Sequence, residues 1–203
     1  MKFVPRDEEE TYVEVVSEEG KGCLADKVGV DYTKGRNKVY LERADDETSC
    51  VDPCRAMHEL LHIIGLFHEQ ERHGAAERVL IHFDKVEPDE RTQFMEIPAT
   101  AEPTPTVPYS YGNVMHYGKS DYATDEGDLV IETLWPEYQD AIGKSKSANR
   151  NDFVCTIYSC KRCMGKPFVG YTDEMRNADD DDALVNAAAK VEERSSSSDD
   201  SNY

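Results

Sequence analysis

No apolar run in this 203-residue chain approaches 18 residues, so the sequence offers no segment able to cross a bilayer as a helix. Its first residues lack the charged-then-apolar layout of a secretion signal, an absence that does not argue for the cytosol. Basic residues are scarce: 23 Lys and Arg face 42 Asp and Glu, for a net charge of −19. Nothing resembles a basic stripe, which excludes nucleic acid from the expected partners. Apolar residues are sparse too, at 38% with a mean hydropathy of −0.70, although the length suffices for one core of ordinary size. There is no internal repeat.

The apolar shortage is concentrated at the end. From Tyr171 to Tyr203 ten acidic residues face three basic ones, with the run Asp179 to Asp182 and the serines Ser195 to Ser198. Such a segment cannot bury enough apolar surface to offset its ordering entropy. The reading is therefore one folded domain over residues 1–165 and a disordered acidic Ser/Asp-rich tail over 166–203, solvated rather than a cation site.

What the chain does have is the stretch His58-Glu59-Leu60-Leu61-His62-Ile63-Ile64-Gly65-Leu66-Phe67-His68. On a helix, His58 and His62 lie one turn apart and point the same way, about 6 Å from each other, as two imidazoles on one zinc ion require. Glu59 then sits beside the metal, where its carboxylate can take a proton from zinc-activated water and pass it to a leaving amine. Gly65 ends the helix, and the turn it permits lets His68 approach from another direction. A bare His-Glu-x-x-His also arises on solvated helix faces. Here Met57, Leu60, Leu61, Ile63, Ile64, Leu66 and Phe67 make the helix apolar nearly all round, so its polar residues need partners that one zinc ion per chain supplies.

A second element is Tyr109-Ser110-Tyr111-Gly112-Asn113-Val114-Met115-His116-Tyr117-Gly118. The zinc motif continuing as His68-Glu69-Gln70, followed by Val-Met-His-Tyr-Gly, resembles the astacin family of metzincin metalloendopeptidases. The resemblance implies that Met115 is an apolar floor beneath the metal and that Tyr117 is a switchable fifth ligand that stabilises the oxyanion. His116 reads as structural rather than as a ligand. The resemblance also implies a secreted enzyme, most simply a monomer, that binds a protein or peptide substrate as an extra strand along an exposed sheet edge near Cys23 to Asp26.

The resemblance is colinear through most of residues 1 to 163. It places Met1 inside the family's second strand, so the expectation is a domain lacking the first strand and helix. Glu69 matches the residue that pairs with the buried amino terminus in mature members; without that partner it is expected to protonate or to be hydrated. The segment His73 to Arg78 departs from the family's usual charged turn closed by tyrosine.

Six cysteines, Cys23, Cys50, Cys54, Cys155, Cys160 and Cys163, fall outside the zinc motif, which points to disulfides and an oxidising compartment. They could pair fifteen ways. Family position implies Cys23 with Cys50. Cys54 and Cys155 flank the zinc helix and sit in the closing helix, so they are expected to pair, leaving Cys160 and Cys163 as a close pair or as free thiols. A Cys-x-x-Cys metal site would be incomplete with two cysteines.

The architecture expected is α+β, the two-lobed metzincin layout: an upper mixed sheet, a zinc-site helix, a methionine turn and a closing C-terminal helix. Extended segments are read near 2–5, 12–16, 38–42 and 79–83, a motif helix from Pro53 to Phe67, and a proline-forced loop from Ile97 to Pro108. The closing helix runs from a Ser147 cap to Cys160. The function expected is a zinc-dependent metalloendopeptidase with Glu59 as general base and Tyr117 assisting. The alternatives are a zinc-binding but inactive domain and, more remotely, an acidic binding protein acting through its tail.

Overall fold

A computed structural model describes residues 4–43, 51–103, 107–144, 151–163 and 166–167. Cys50, the Ser147 cap and the expected acidic tail beyond Pro167 lie outside the described residues. Strand β1 (Tyr12–Val16) runs parallel to β3 (Arg36–Leu41), and β2 (Cys23–Ala25) runs antiparallel to β3 on its other side, giving the sheet order β1-β3-β2. The register pairs Val15 with Val39 and Leu24 with Tyr40. This is the mixed upper sheet expected, with β2 at an edge. Val4 to Arg6, where another strand was expected to finish, form no strand.

Helix α1 (Pro53–Ile63) packs against β2 and β3, burying Ile63 completely. It begins where Asp52 accepts the Cys54 and Arg55 N–H groups and Pro53 occupies a position that needs no donor. It stops four residues short of Phe67. Gly65, at φ 102°, donates to the His62 carbonyl while Leu66 donates to the Leu61 carbonyl, the paired bonds of a Schellman turn. The hydroxyl of Tyr158, just beyond α2 (Asn151–Ile157), donates to the Ile64 carbonyl, so the closing segment seals the end of the metal helix.

The lower lobe is loop-rich. Its regular pairing is β4 (Val79–Ile81) against β5 (Ile131–Thr133), with Val79 opposite Thr133. Around it Val86, Phe94, Tyr111, Val130, Ile131 and Ile142 form one apolar cluster. A second cluster, Ile64, Leu66, Val107 and Met115, joins the end of α1 to the loop that carries the second motif. Two glycines fix that loop's exit: a Cβ on Gly143 (φ 69°) would lie 2.3 Å from the Gly118 Cα, so the backbone just after Tyr117 is in direct contact with another chain segment.

Cysteine pairing differs from expectation. Cys155 bonds Cys163 rather than Cys54, with Cα atoms 5.9 Å apart. The chain turns back after α2 through the short pair β6 (Arg162–Cys163) and β7 (Lys166–Pro167), which brings Cys163 onto the helix. The bonded pair is only eight residues apart, and it is the reversal that brings the two cysteines together. Cys160 is a free thiol. Cys23 is disulfide-bonded; its expected partner, Cys50, is outside the described residues.

Candidate active site

The three motif histidines converge. The Nε2 atoms of His58 and His62 are 3.1 Å apart, those of His62 and His68 are 3.2 Å apart, and the three ligand atoms form the one such cluster among the described residues. Each ring is oriented by its other nitrogen: His58 Nδ1 lies 2.9 Å from the Val114 carbonyl, His62 Nδ1 2.8 Å from the Leu66 carbonyl, and His68 Nδ1 2.6 Å from Glu71 Oε2. The two carbonyl oxygens can only accept, so His58 and His62 carry their protons on Nδ1; Glu71, whose carboxyl burial raises to about 7, accepts from His68 Nδ1 in its ionised form, and each Nε2 then turns a lone pair toward a common centre. Three lone pairs at that spacing repel unless a cation lies between them. Tetrahedral zinc with Zn–N bonds of about 2.0–2.1 Å puts its nitrogen ligands about 3.3 Å apart, close to the separations here. Burial, aided by the neighbouring imidazoles, depresses His62 and His68 to about 3, and burial lowers His58 as well, so all three are neutral ligands at neutral pH.

Glu59 follows His58 on α1 and is 7% exposed. Burial raises its carboxyl to about 7, opposed by the Ala25 N–H, which donates to Oε2 at 2.7 Å. That bond fastens the carboxylate to the edge strand β2. Among the described residues Oε1 takes no hydrogen bond, and Glu59 lines the same cleft, about 340 Å³, as the three histidines. Gly29 N–H, in the loop after β2, donates to the His62 carbonyl at 2.8 Å, a second tie between the edge and the metal helix.

Tyr117 faces the cleft, its ring centroid 4.3 Å from that of His68. Burial first, and the neighbouring Tyr122 next, push its hydroxyl well above the ordinary range, so it remains a proton donor. Met115 is fully buried, and its carbonyl accepts the Glu69 N–H at 2.9 Å, joining the methionine turn to the segment after the third histidine. His116 stands apart from the trio: its Nδ1 lies 2.7 Å from the Tyr117 carbonyl and its Nε2 2.7 Å from the Tyr109 hydroxyl.

Glu69 departs from expectation in having a cationic partner, although burial still pushes its carboxyl above the usual range. It is 1% exposed but not partnerless: Arg72 Nη1 lies 2.8 Å from Oε1, with the Ser110 N–H and the Asn113 amide donating as well. Arg72 also lies 3.4 Å from Glu102 and donates to the Val107 carbonyl at 2.6 Å. A one-turn reversal at 69–71 brings Arg72 back over Glu69, and the signal was an acidic–basic pair at i, i+3. The residues that sequence reasoning missed are Arg72, Glu71 and the Ala25 amide. The last cannot be seen in any side-chain pattern.

Three neutral imidazoles around one centre, a cleft carboxylate one residue after the first, and a methionine turn packed on the same helix define a metallopeptidase-type zinc centre. Residues 1–158 match the Astacin peptidase family, and the chain belongs to that family. Zinc metalloproteinase nas-5 of Caenorhabditis elegans is 34% identical over 170 residues, covering 83% of this chain and 46% of that protein. Zinc metalloproteinase nas-6 of the same organism is 28% identical over 163 residues, covering 79% and 44%. The chain thus spans less than half the length of these relatives. Among solved structures, high choriolytic enzyme 1, a hatching enzyme zinc-protease from the medaka fish Oryzias latipes, aligns with a TM-score of 0.68 at 26% identity, covering 78% of this chain and 74% of that one. No described helix is long and apolar enough to cross a membrane.

Proposed function

We propose that this chain hydrolyses peptide bonds in protein substrates as a zinc-dependent endopeptidase, with His58, His62 and His68 holding one zinc ion. The observation that carries the reading is the convergence of three outward-fixed Nε2 lone pairs beside Glu59 in one cleft. Zinc, when bound, supplies Lewis acidity toward water and toward the scissile carbonyl.

The chain's own residues do the rest. Glu59 accepts the proton of the attacking water at Oε1 while the Ala25 N–H holds Oε2, and it then delivers that proton to the departing amine. Tyr117 donates its hydroxyl to the oxygen that becomes negative. Met115 packs the floor and Gly65 lets the chain turn so that His68 arrives from outside the helix. Substrate lies extended along β2, pairing with backbone groups rather than being read by sequence.

The folded enzyme occupies residues 1–165 as a monomer, with Lys166 and Pro167 still paired to it as β7, and the acidic tail follows. A Cys155–Cys163 bond and a bonded Cys23 support secretion into an oxidising environment. The test is metal analysis with a protease assay on denatured protein: about one zinc per chain, lost with His62→Ala, and proteolysis lost with Glu59→Gln while zinc is retained. A full equivalent of zinc in His62→Ala, or undiminished hydrolysis by Glu59→Gln, overturns it.

A further inference from the structure

The three ligands are not held alike. His58 and His62 sit on α1, where the helix fixes their backbones and main-chain carbonyls orient their rings. His68 lies beyond the Gly65 turn in extended backbone, φ −62° and ψ 149°, outside α1 and capping only the single turn Glu69–Glu71. Its ring is the only one of the three whose Nδ1 meets a carboxylate, Glu71 Oε2 at 2.6 Å. The same oxygen accepts the His68 backbone N–H at 3.2 Å, so one atom fixes both the main chain and the ring of this ligand. Glu71 is itself anchored: its N–H donates to the His68 carbonyl at 3.2 Å and its carbonyl accepts the Ile97 N–H at 2.7 Å.

We propose that Glu71 is the positioning residue of the metal centre, its carboxylate bracing His68 from behind so that the third ligand is presented ready-made and electron-rich to the ion. The inference rests on the reading of His58, His62 and His68 as ligands. Glu71 is not a fourth ligand, because it meets the ring at Nδ1, on the side away from the Nε2 centre. Its side chain and that of His68 are 13% and 11% exposed, so water competes little for the contact. An anion hydrogen-bonded to a ligand imidazole holds the ring in one orientation and one tautomer and raises its basicity, and removing such a partner costs about 10- to 100-fold in metal affinity. Both effects act on retention of the metal, before any substrate arrives.

Zinc affinity measured by chelator competition, with thermal melts of the metal-free proteins, tests this. Glu71→Ala should bind zinc about 10- to 100-fold more weakly with its metal-free melt unchanged. Glu71→Gln keeps an acceptor but not the charge, and should fall between Ala and the parent. Glu132→Ala breaks a similar contact, His82 Nε2 to Glu132 Oε2 at 2.9 Å, outside the site and should leave zinc affinity alone. Should Glu71→Ala fail to fold, Glu71→Gln decides by the same measurement: a loss of about threefold or more supports the role, none overturns it. Affinity within about twofold of the parent in a folded Glu71→Ala, or an equal loss in Glu132→Ala, also overturns it. A parent protein that binds no zinc would instead refute the ligand assignment itself.

Discussion

Replacing Arg72 with methionine should destabilise the chain more than almost any other single change in the lower lobe. The guanidinium is 2.8 Å from Glu69, 3.4 Å from Glu102 and 2.6 Å from the Val107 carbonyl, and its side chain is only 9% exposed. Methionine fills much of the volume but donates nothing. Glu69 would keep the Ser110 N–H and the Asn113 amide, while two buried carboxylates lose their shared cation. Removing one partner of a buried pair costs about 3–5 kcal/mol, and with two acids stranded the upper half of that range is expected. At about 2–4 °C per kcal/mol for a chain of this size, the melting temperature should fall by about 8–20 °C. Thermal unfolding followed by circular dichroism reads this directly. Adding Glu69→Gln to Arg72→Met should restore part of the loss, since the amide still accepts the Ser110 N–H without burying a charge. A cost below about 1 kcal/mol for Arg72→Met, or no recovery in the double variant, would refute the claim that Glu69 depends on Arg72.

Four further outcomes are expected. Tyr117→Phe should lower kcat/KM by about 10- to 1000-fold, less than Glu59→Gln, because it removes one oxyanion donor and leaves the proton acceptor; equal losses would contradict the separate roles. Gly65→Ala meets no atom within 4 Å, so its whole cost is the left-handed backbone, about 1–2 kcal/mol, measurable as a shift in denaturation midpoint. Mass mapping of the unreduced protein should recover Cys155 linked to Cys163, and Cys163→Ser should cost about 2–3 kcal/mol through the freed loop; a Cys54–Cys155 peptide would show the pairing to be wrong. Gly143→Ala should be far more damaging than Gly65→Ala, because its Cβ would strike the Gly118 backbone; comparable melts for the two would count against the close approach seen here.

Much of the site was legible because its chemistry is written at fixed spacings within one helix and one turn. The 53–67 reading found α1 but ran it four residues too far, while Gly65 did mark the turn that ends it, since apolar positions, an N-terminal proline and a glycine all act locally. Residues 12–16 were read as the strand they form, and 79–83 overlapped β4, but nothing in the sequence announced that β4 pairs with β5 some fifty residues later. The partner of Glu69, three residues on, and the bond between Cys155 and Cys163, eight residues apart, were missed at short range. Each depends on a chain reversal whose geometry is set by packing, not by the residues that meet. Glu71 went unnoticed because a glutamate three residues after a ligand looks like any acidic turn residue until the turn closes.

The bond from Ala25 to Glu59 has a consequence for how substrate is measured. In β2 the bonds to β3 flank the strand at Gly22 and Asp26, so by the two-residue period of a strand the main-chain groups of Cys23 and Ala25 face away from the sheet. A peptide lying along that edge can use the groups of Cys23 and the Ala25 carbonyl, but the Ala25 N–H is already committed to the catalytic carboxylate. Under the proposed substrate alignment the edge would work as a ruler with a stop. On that alignment along β2, the ladder of a bound strand would end at the residue that holds Glu59, and the position of cleavage would be indexed to Glu59 by the main chain, whatever side chains the substrate carries.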